Sequence, residues 1–141
     1  MMSKILYTAK ATAEGGREGS VKTDSETLDL DLAMPSSLGG EDKTGATNPE
    51  ELFAAGYAAC FDSALQLAAS QAKKEITSRV SSEISIGKQT DGLGLSAKLH
   101  VDIEGVTQEE AEELVEKAHN LCPYSKATRG NMEVDLETTT K

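Results

Sequence analysis

At 141 residues the chain is too short for two ordinary domains, so a single domain is expected over residues 1–141. The formal net charge of -10 and the lack of a lysine- or arginine-rich run argue against binding to nucleic acid or to an anionic membrane. Only 4% of the residues are aromatic and none is tryptophan, so the core should contain mainly small aliphatic side chains, whose packing a second subunit could complete.

The first third of the chain is predicted to form strands and turns. Met1 to Lys10 contains no apolar stretch of signal-peptide length, so a cytoplasmic protein is expected. Lys4 to Glu14 is compatible with a strand, and the glycine-rich stretch Gly15 to Gly19 predicts a turn. Leu28 to Leu32 alternates leucine with aspartate, which is the period of a half-buried strand. The polar stretch from Pro35 to Asn48 is long enough for a functional loop.

A long helix is predicted from an N-cap at Asn48 to about Lys74. Pro49 suits its first position, and the two glutamates that follow favour the positive end of its dipole. The most apolar stretch, Leu52 to Ala69, barely reaches membrane-spanning length and includes Asp62. Because this stretch is apolar on nearly all sides, we interpret it as a buried helix at the centre of the fold.

The second half of the chain predicts a hairpin, a helix and a last strand. Val80 to Gln89 and Leu93 to Glu104 are candidate strands separated by an Asp-Gly turn, and from Leu93 to Ile103 the second strand alternates apolar with mostly polar residues. A capping box opens an acidic amphipathic helix that runs from Thr107 to about Leu121, and Met132 to Leu136 alternates as a short strand. Because strands and helices are segregated, the predicted fold class is α+β with antiparallel sheets and one long central helix.

The two cysteines are the first candidates for chemistry. Cys60 lies in the middle of the long helix, where a plain core residue is the simpler interpretation, and Cys122 follows the second helix. In a reducing compartment the pair is inert, binds metal or is redox-active. Redox chemistry requires a thiolate, which an apolar helix disfavours unless a nearby cation lowers the pKa of the thiol. Arg17, in the glycine-rich turn, is the clearest loop candidate for that cation.

Glu50 is the second charged candidate. It precedes Cys60 by ten residues, which is about 15 Å along the axis of a straight helix. If Arg17, Glu50 and Cys60 cooperate, the helix must break or the partners must come from another subunit. A favourable charge at the helix N-terminus explains Glu50 without any site.

A metal site is not expected. His119 and Cys122 have a ligand-like spacing, but His100 is the only other histidine and no second pair of ligands accompanies them. A structural zinc site takes four protein ligands.

Several segments together resemble the organic hydroperoxide resistance (Ohr) branch of the OsmC superfamily. They are Tyr7-Thr8-Ala9, Gly15-Gly16-Arg17, Thr47 to Phe61, Cys122 to Ser125, and Ala127 to Asn131. They extend over essentially the whole chain. The long central segment combined with Cys-Pro-Tyr-Ser is far more specific than any single short motif.

The resemblance implies an intertwined two-sheet homodimer with the central helices packed between the sheets. It implies that Cys60 is the peroxidatic cysteine, that Cys122 is the resolving cysteine, and that Arg17 and Glu50 activate the thiolate across the dimer. The implied activity is a peroxidase that reduces organic hydroperoxides to alcohols through a Cys60 sulfenic acid and a Cys60–Cys122 disulfide. No bound cofactor is implied, and the reductant would be dihydrolipoamide or a lipoylated protein.

Three aromatic residues are candidates for a substrate pocket that favours alkyl or fatty-acid hydroperoxides: Phe53, Tyr57 and Phe61. Each is equally compatible with plain core or with a dimer interface. Two other classes of function stay open. A redox-sensing or osmotic-stress protein could use the same thiols as a switch without turnover, and a dimer that only binds small molecules would tolerate Cys60→Ala with no loss of function.

Overall fold

The structure is a computed structural model that describes residues 2–141. These residues form two compact units, one that extends to Pro49 and one that runs from Glu50 to Lys141. The single domain expected over residues 1–141 stays a prediction.

The first unit contains a small antiparallel sheet. Its strands, in the order β1-β2-β3, are Ala11–Glu14 (β1), Ser20–Thr23 (β2) and Asp29–Asp31 (β3). Of the strand predicted over Lys4 to Glu14, the last four residues form β1, and the carbonyl of Lys10 accepts a further hydrogen bond from the N–H of Asp24. The turn predicted at the glycines is confirmed: Gly15 has a φ of 78°, and a side chain at Gly19 would meet the carbonyl oxygen of Glu14 at 1.7 Å.

The second unit contains three helices and a second sheet. Its elements are Pro49–Gln71 (α1), Thr77–Gln89 (β4), Gly92–Glu104 (β5), Gln108–Leu121 (α2), Pro123–Thr128 (α3) and Val134–Thr140 (β6). The long helix, the hairpin and the capping box at Thr107 are confirmed. The bounds differ by a few residues: α1 ends at Gln71 and not near Lys74, β4 begins three residues earlier than predicted, and β6 begins two residues later and ends four residues later.

The predicted α+β class is confirmed, with one difference in the second sheet. The strand order is β4-β5-β6; β4 and β5 pair antiparallel, whereas β5 and β6 pair parallel. Parallel neighbours require a crossover, and α2 and α3 supply it. The prediction of antiparallel sheets therefore holds for the first sheet and for β4 and β5, but not for β6.

The core of the second unit consists of apolar side chains from α1, β5 and α2. The alternation predicted for β5 is confirmed in its second half, where Leu99, Val101 and Ile103 are buried and the residues between them are more exposed, whereas Leu93 at its start is exposed. Leu65 of α1 is fully buried, so its truncation to alanine is expected to cost about 2–5 kcal/mol.

Helix α1 is long and apolar enough to cross a membrane by length and composition alone, but a third of its apolar window is buried inside this fold. Burial on all sides was predicted, and within one chain only one face is covered. Ala55, Ala59, Ser63 and Leu67 are exposed on the other face.

Candidate active site

The structure brings the two cysteines together. The Sγ atoms of Cys60 and Cys122 lie 3.5 Å apart, and both thiols are free. Cys60 is half-buried, whereas Cys122 is fully buried. A disulfide has a sulfur–sulfur distance of about 2.05 Å, so a shift of about 1.5 Å would join the pair.

Cys122 lies at the junction between two helices. Its backbone N–H donates to the carbonyl of Ala118 at the end of α2, and its carbonyl accepts from the N–H of Lys126 in α3. Pro123 occupies the first position of α3, where its missing N–H costs nothing. The sequence correctly predicted that α2 ends before Pro123, but it did not predict that a new helix begins there.

A glycine in α1 makes room for the residue that follows this proline. A side chain on Gly56 would lie 2.8 Å from the hydroxyl of Tyr124 and 3.2 Å from its ring. Gly56 is one helical turn before Cys60, so the tyrosine ring packs close to the α1 backbone on the turn that precedes the thiol. Tyr124 also contacts the rings of Phe53 and Tyr57, at centroid distances of 6.2 and 5.8 Å.

The surroundings of Cys60 favour the neutral thiol. Burial raises the pKa of Cys60, and hydrogen bonding with Cys122 and the charge of its thiolate raise it further. The backbone N–H of Tyr124 opposes these effects by a hydrogen bond to the sulfur, which lowers the pKa. The net shift is upward, so these contacts alone do not produce the thiolate that peroxide chemistry requires.

The structure does not bring Glu50 to Cys60 within one chain. Both residues belong to α1, which is continuous from Pro49 to Gln71, so their separation of ten positions still corresponds to about 15 Å along the axis. The possibility of a helix break is excluded. Glu50 is half-buried in the first turn of α1, and the part predicted for it in thiolate activation stays a prediction.

Arg17 is half-buried in the 3-10 turn Gly16–Glu18, one of two such turns in the described part of the first unit. The glycine-rich turn predicted around it is confirmed. Its role as the activating cation stays a prediction.

Beneath the aromatic residues, a chain of buried hydrogen bonds joins the helices. The hydroxyl of Tyr57 lies 2.8 Å from that of Ser125 and 3.1 Å from that of Thr128. Ser125 Oγ also lies 2.9 Å from His119 Nδ1. Burial lowers the pKa of His119 and the charge of Arg129 lowers it further, while Glu116 opposes them.

The residues predicted to line a substrate pocket differ in accessibility. Tyr57 and Phe61 are fully buried in the core, and Phe53 is half-buried. Phe53 stacks on Tyr57 with ring centroids 5.9 Å apart. Their contact with a substrate stays a prediction, and Phe53 is the one among them that a substrate could reach in this conformation.

No cluster of three or more His, Cys, Asp or Glu side chains within residues 2–141 is placed to hold a metal ion. The spacing of His119 and Cys122 in the sequence resembles that of metal ligands, but both side chains interact with other residues. The ring of His119 bonds to Ser125, and the thiol of Cys122 bonds to Cys60.

Sequence reasoning missed four residues of this region: Gly56, His119 as a hydrogen-bonding partner, Tyr124 and Ser125. The sequence did contain a signal for Gly56, because a glycine in the interior of a helix lowers helix stability by about 1 kcal/mol relative to alanine. Such a glycine indicates a close approach by another part of the chain. The partner of His119 had no signal, because it depends on a helix that was not predicted.

Comparison with known proteins gives one consistent result. Residues 39–137 match the family described as OsmC-like protein. The organic hydroperoxide resistance protein OhrA of Bacillus subtilis is 50% identical over 138 residues, which are 96% of this chain and 98% of the relative.

Solved structures agree with this match. The crystal structure of an organic hydroperoxide resistance protein from Elizabethkingia anophelis, with crystallant-derived thiocyanate bound, has a TM-score of 0.92 at 50% identity and covers 98% of this chain and 99% of that chain. The structure of OhrB from Bacillus subtilis has a TM-score of 0.84 at 45% identity and covers 97% and 100% of the two chains.

Proposed function

Because the chain belongs to the OsmC-like family, and within it to the organic hydroperoxide resistance proteins, we propose that it is a thiol peroxidase that reduces organic hydroperoxides to alcohols. The observation that carries the proposal is the pair of free thiols with sulfur atoms 3.5 Å apart. Cys60 is the half-buried member, so it is the one that meets the peroxide.

In the first step the Cys60 thiolate attacks one oxygen of the hydroperoxide. The oxygen–oxygen bond breaks, the sulfur is oxidised to a sulfenic acid, and the alkoxide leaves as an alcohol after it takes up a proton. The half-buried setting of Cys60 among apolar residues favours substrates with an organic group over hydrogen peroxide.

In the second step Cys122 attacks the sulfur of the sulfenic acid. The sulfur–sulfur bond forms, the sulfur–oxygen bond breaks, and the hydroxyl leaves as water with the proton of the Cys122 thiol. The 3.5 Å separation supports this step, because only a small movement forms the disulfide. Rapid closure protects Cys60 from further oxidation to the sulfinic acid.

Activation of Cys60 is assigned to Arg17 and Glu50 of the partner subunit in a homodimer. The raised pKa of Cys60 within the chain supports the need for an added cation. A planar guanidinium suits this role, and a carboxylate can hold it in place with two parallel hydrogen bonds. The continuous helix between Glu50 and Cys60 supports a contribution from a second chain.

The disulfide is returned to the two thiols by a dihydrolipoyl dithiol, free or on a lipoylated protein. Thiol–disulfide exchange begins with attack of a thiolate on the more accessible sulfur. That sulfur belongs to Cys60, since Cys122 is fully buried. The second thiol of the reductant then completes the exchange, and no resident cofactor is required.

The test compares tert-butyl hydroperoxide with hydrogen peroxide, each supplied with dihydrolipoamide and with thioredoxin as reductant. We expect rapid consumption of the organic peroxide with dihydrolipoamide, and none with the Cys60→Ser variant. A redox-sensing or osmotic-stress protein would instead form the disulfide once and consume little peroxide. Turnover that survives Cys60→Ser would exclude the mechanism.

A further inference from the structure

A chain of hydrogen bonds connects the three helices around the two sulfurs. Tyr57 lies on α1 three residues before Cys60, and His119 lies on α2 three residues before Cys122. Ser125 lies on α3, three residues after Cys122, and its hydroxyl joins the other two at 2.8 and 2.9 Å. Each member of this network is therefore about one helical turn from a cysteine.

The position of Cys122 depends on contacts made by α3. That helix has only six residues, and helices of this length are not stable by themselves. Ser125 and Thr128 are its buried side chains, and both hydroxyls lie within 3.1 Å of the Tyr57 hydroxyl. The helix is thus fixed to α1 at a point close to the reactive sulfur.

We propose that Tyr57, Ser125 and His119 are positioning residues that hold Cys122 in line with Cys60 for closure of the disulfide, an inference that rests on the proposed peroxidase function. Tyr57 and Ser125 are fully buried, so the role proposed for them acts through the helices and requires no contact with the peroxide. Bond formation between two groups is sensitive to placement, and an error of about 1 Å can cost about a hundredfold in rate.

The variants remove one hydrogen-bonding group at a time. Tyr57→Phe keeps the ring and loses the hydroxyl, and Ser125→Ala loses the central hydroxyl. At the half-buried His119, asparagine offers a hydrogen-bonding atom near the place of Nδ1, whereas leucine offers none. Ser85→Ala, an exposed serine on β4, is the matched control.

The first measurement separates the two chemical steps by rapid mixing of each reduced variant with tert-butyl hydroperoxide. Formation of the Cys60 sulfenic acid should stay within about twofold of the unmodified protein, while disulfide formation should slow about tenfold in Tyr57→Phe, Ser125→Ala and His119→Leu. His119→Asn and Ser85→Ala should behave like the unmodified protein. Equal slowing of both steps, or of neither, would overturn the proposal.

The second measurement needs no peroxide. The dithiol and disulfide forms are equilibrated with reduced and oxidised dithiothreitol, and the ratio of the two forms is read by mass after alkylation. We expect the disulfide to be several-fold less favoured in His119→Leu than in His119→Asn. An unchanged ratio would contradict positioning even if the protein is a peroxidase. A changed ratio in a protein without peroxide turnover would instead refute only the proposed function.

Discussion

Within a single chain, burial raises the pKa of Cys60 above that of an ordinary cysteine, and this defines what the proposed activating cation must do. Burial and the neighbouring Cys122 both act to raise the pKa of Cys60. A cation has to reverse that shift before the thiolate is populated at neutral pH. The cation therefore has to offset more than the burial in an apolar helix that the sequence indicates. Cys122 also raises the pKa of Cys60, and only the fold shows that the two residues are close.

Replacement of Arg17 by alanine tests the source of the cation. We expect the midpoint of the pH dependence of Cys60 alkylation to move upward by about one pH unit or more, which is the usual effect of losing an opposite charge close to the group. The midpoint for Arg17→Lys should lie between those of Arg17→Ala and the protein with Arg17 intact, since lysine keeps the charge but loses the planar contact. The measurement is iodoacetamide labelling from pH 4 to 10 in a Cys122→Ser background. A midpoint that does not move in Arg17→Ala would exclude Arg17.

His119 should make the fold sensitive to mild acid. Burial holds the pKa of His119 below its ordinary 6.5, so the unfolded chain binds the proton more readily than the folded one. Stability from this residue is therefore complete above pH 6.5 and is lost as pH falls through the lower folded pKa. Urea unfolding at pH 8 and pH 5 should show a smaller loss in His119→Asn than in the unmodified protein. Equal losses would show that other groups cause the acid sensitivity.

At the scale of elements, local sequence signals predicted most of the helices and strands. They failed where contacts between distant parts of the chain determine the structure. Capping chemistry correctly placed the start of α2, and alternation correctly placed the buried face of β5. The direction of β6 could not be read from its own residues, because the crossover through α2 and α3 fixes it. Helix α3 was missed because its six residues, which begin with Pro123, are too few to show a helical period.

The candidate site also has a part that the sequence predicted and a part that only the structure shows. Motifs identified Cys60 and Cys122, and the structure adds their 3.5 Å separation. The hydrogen-bond network at Ser125 could not be predicted, since it joins residues that are distant in the chain and lie on three helices. Spacing rules describe neighbours on one element, whereas this network depends on how the elements pack.

The first turn of α2 offers a prediction about acid stability. A hydrogen bond from Lys74 is the main cause that lowers the pKa of Glu110 to about 2, and the capping box with Thr107 adds to it. The stabilising contribution is present above the ordinary pKa of 4.5 and is lost as pH falls towards 2. Glu110→Gln should therefore lower the urea midpoint at pH 7 and have little effect near pH 2.

The matched control for this change is Glu109→Gln, which removes the same charge from the same exposed turn. Glutamine can still complete the capping box, so Glu110→Gln isolates the charge from the cap. If both variants lower the midpoint at pH 7 by the same amount, the helix dipole explains the effect and the pair with Lys74 does not.

At the scale of the whole molecule, one proposal, the homodimer, accounts for two features: the exposed face of α1 and the separation of Glu50 from Cys60. The proposed homodimer would cover the face of α1 that a single chain leaves exposed, and it would bring a carboxylate from one chain to the thiol of the other. The low aromatic content also becomes understandable, because small side chains allow two helices to pack closely. Analytical ultracentrifugation of the reduced protein should give twice the chain mass.

A mixing experiment then tests whether the site is shared between chains. Cys60→Ser and Glu50→Ala should each be nearly inactive alone. Equal amounts unfolded together in urea and refolded should recover about a quarter of the unmodified activity, because half of the dimers are mixed and each mixed dimer has one complete site of two. A site built within one chain would recover nothing, since every Cys60 would then sit beside a missing Glu50. The mixture of Cys60→Ser with Cys122→Ser is the companion measurement: because the two sulfurs already meet within one chain at 3.5 Å, it should recover no multiple turnover.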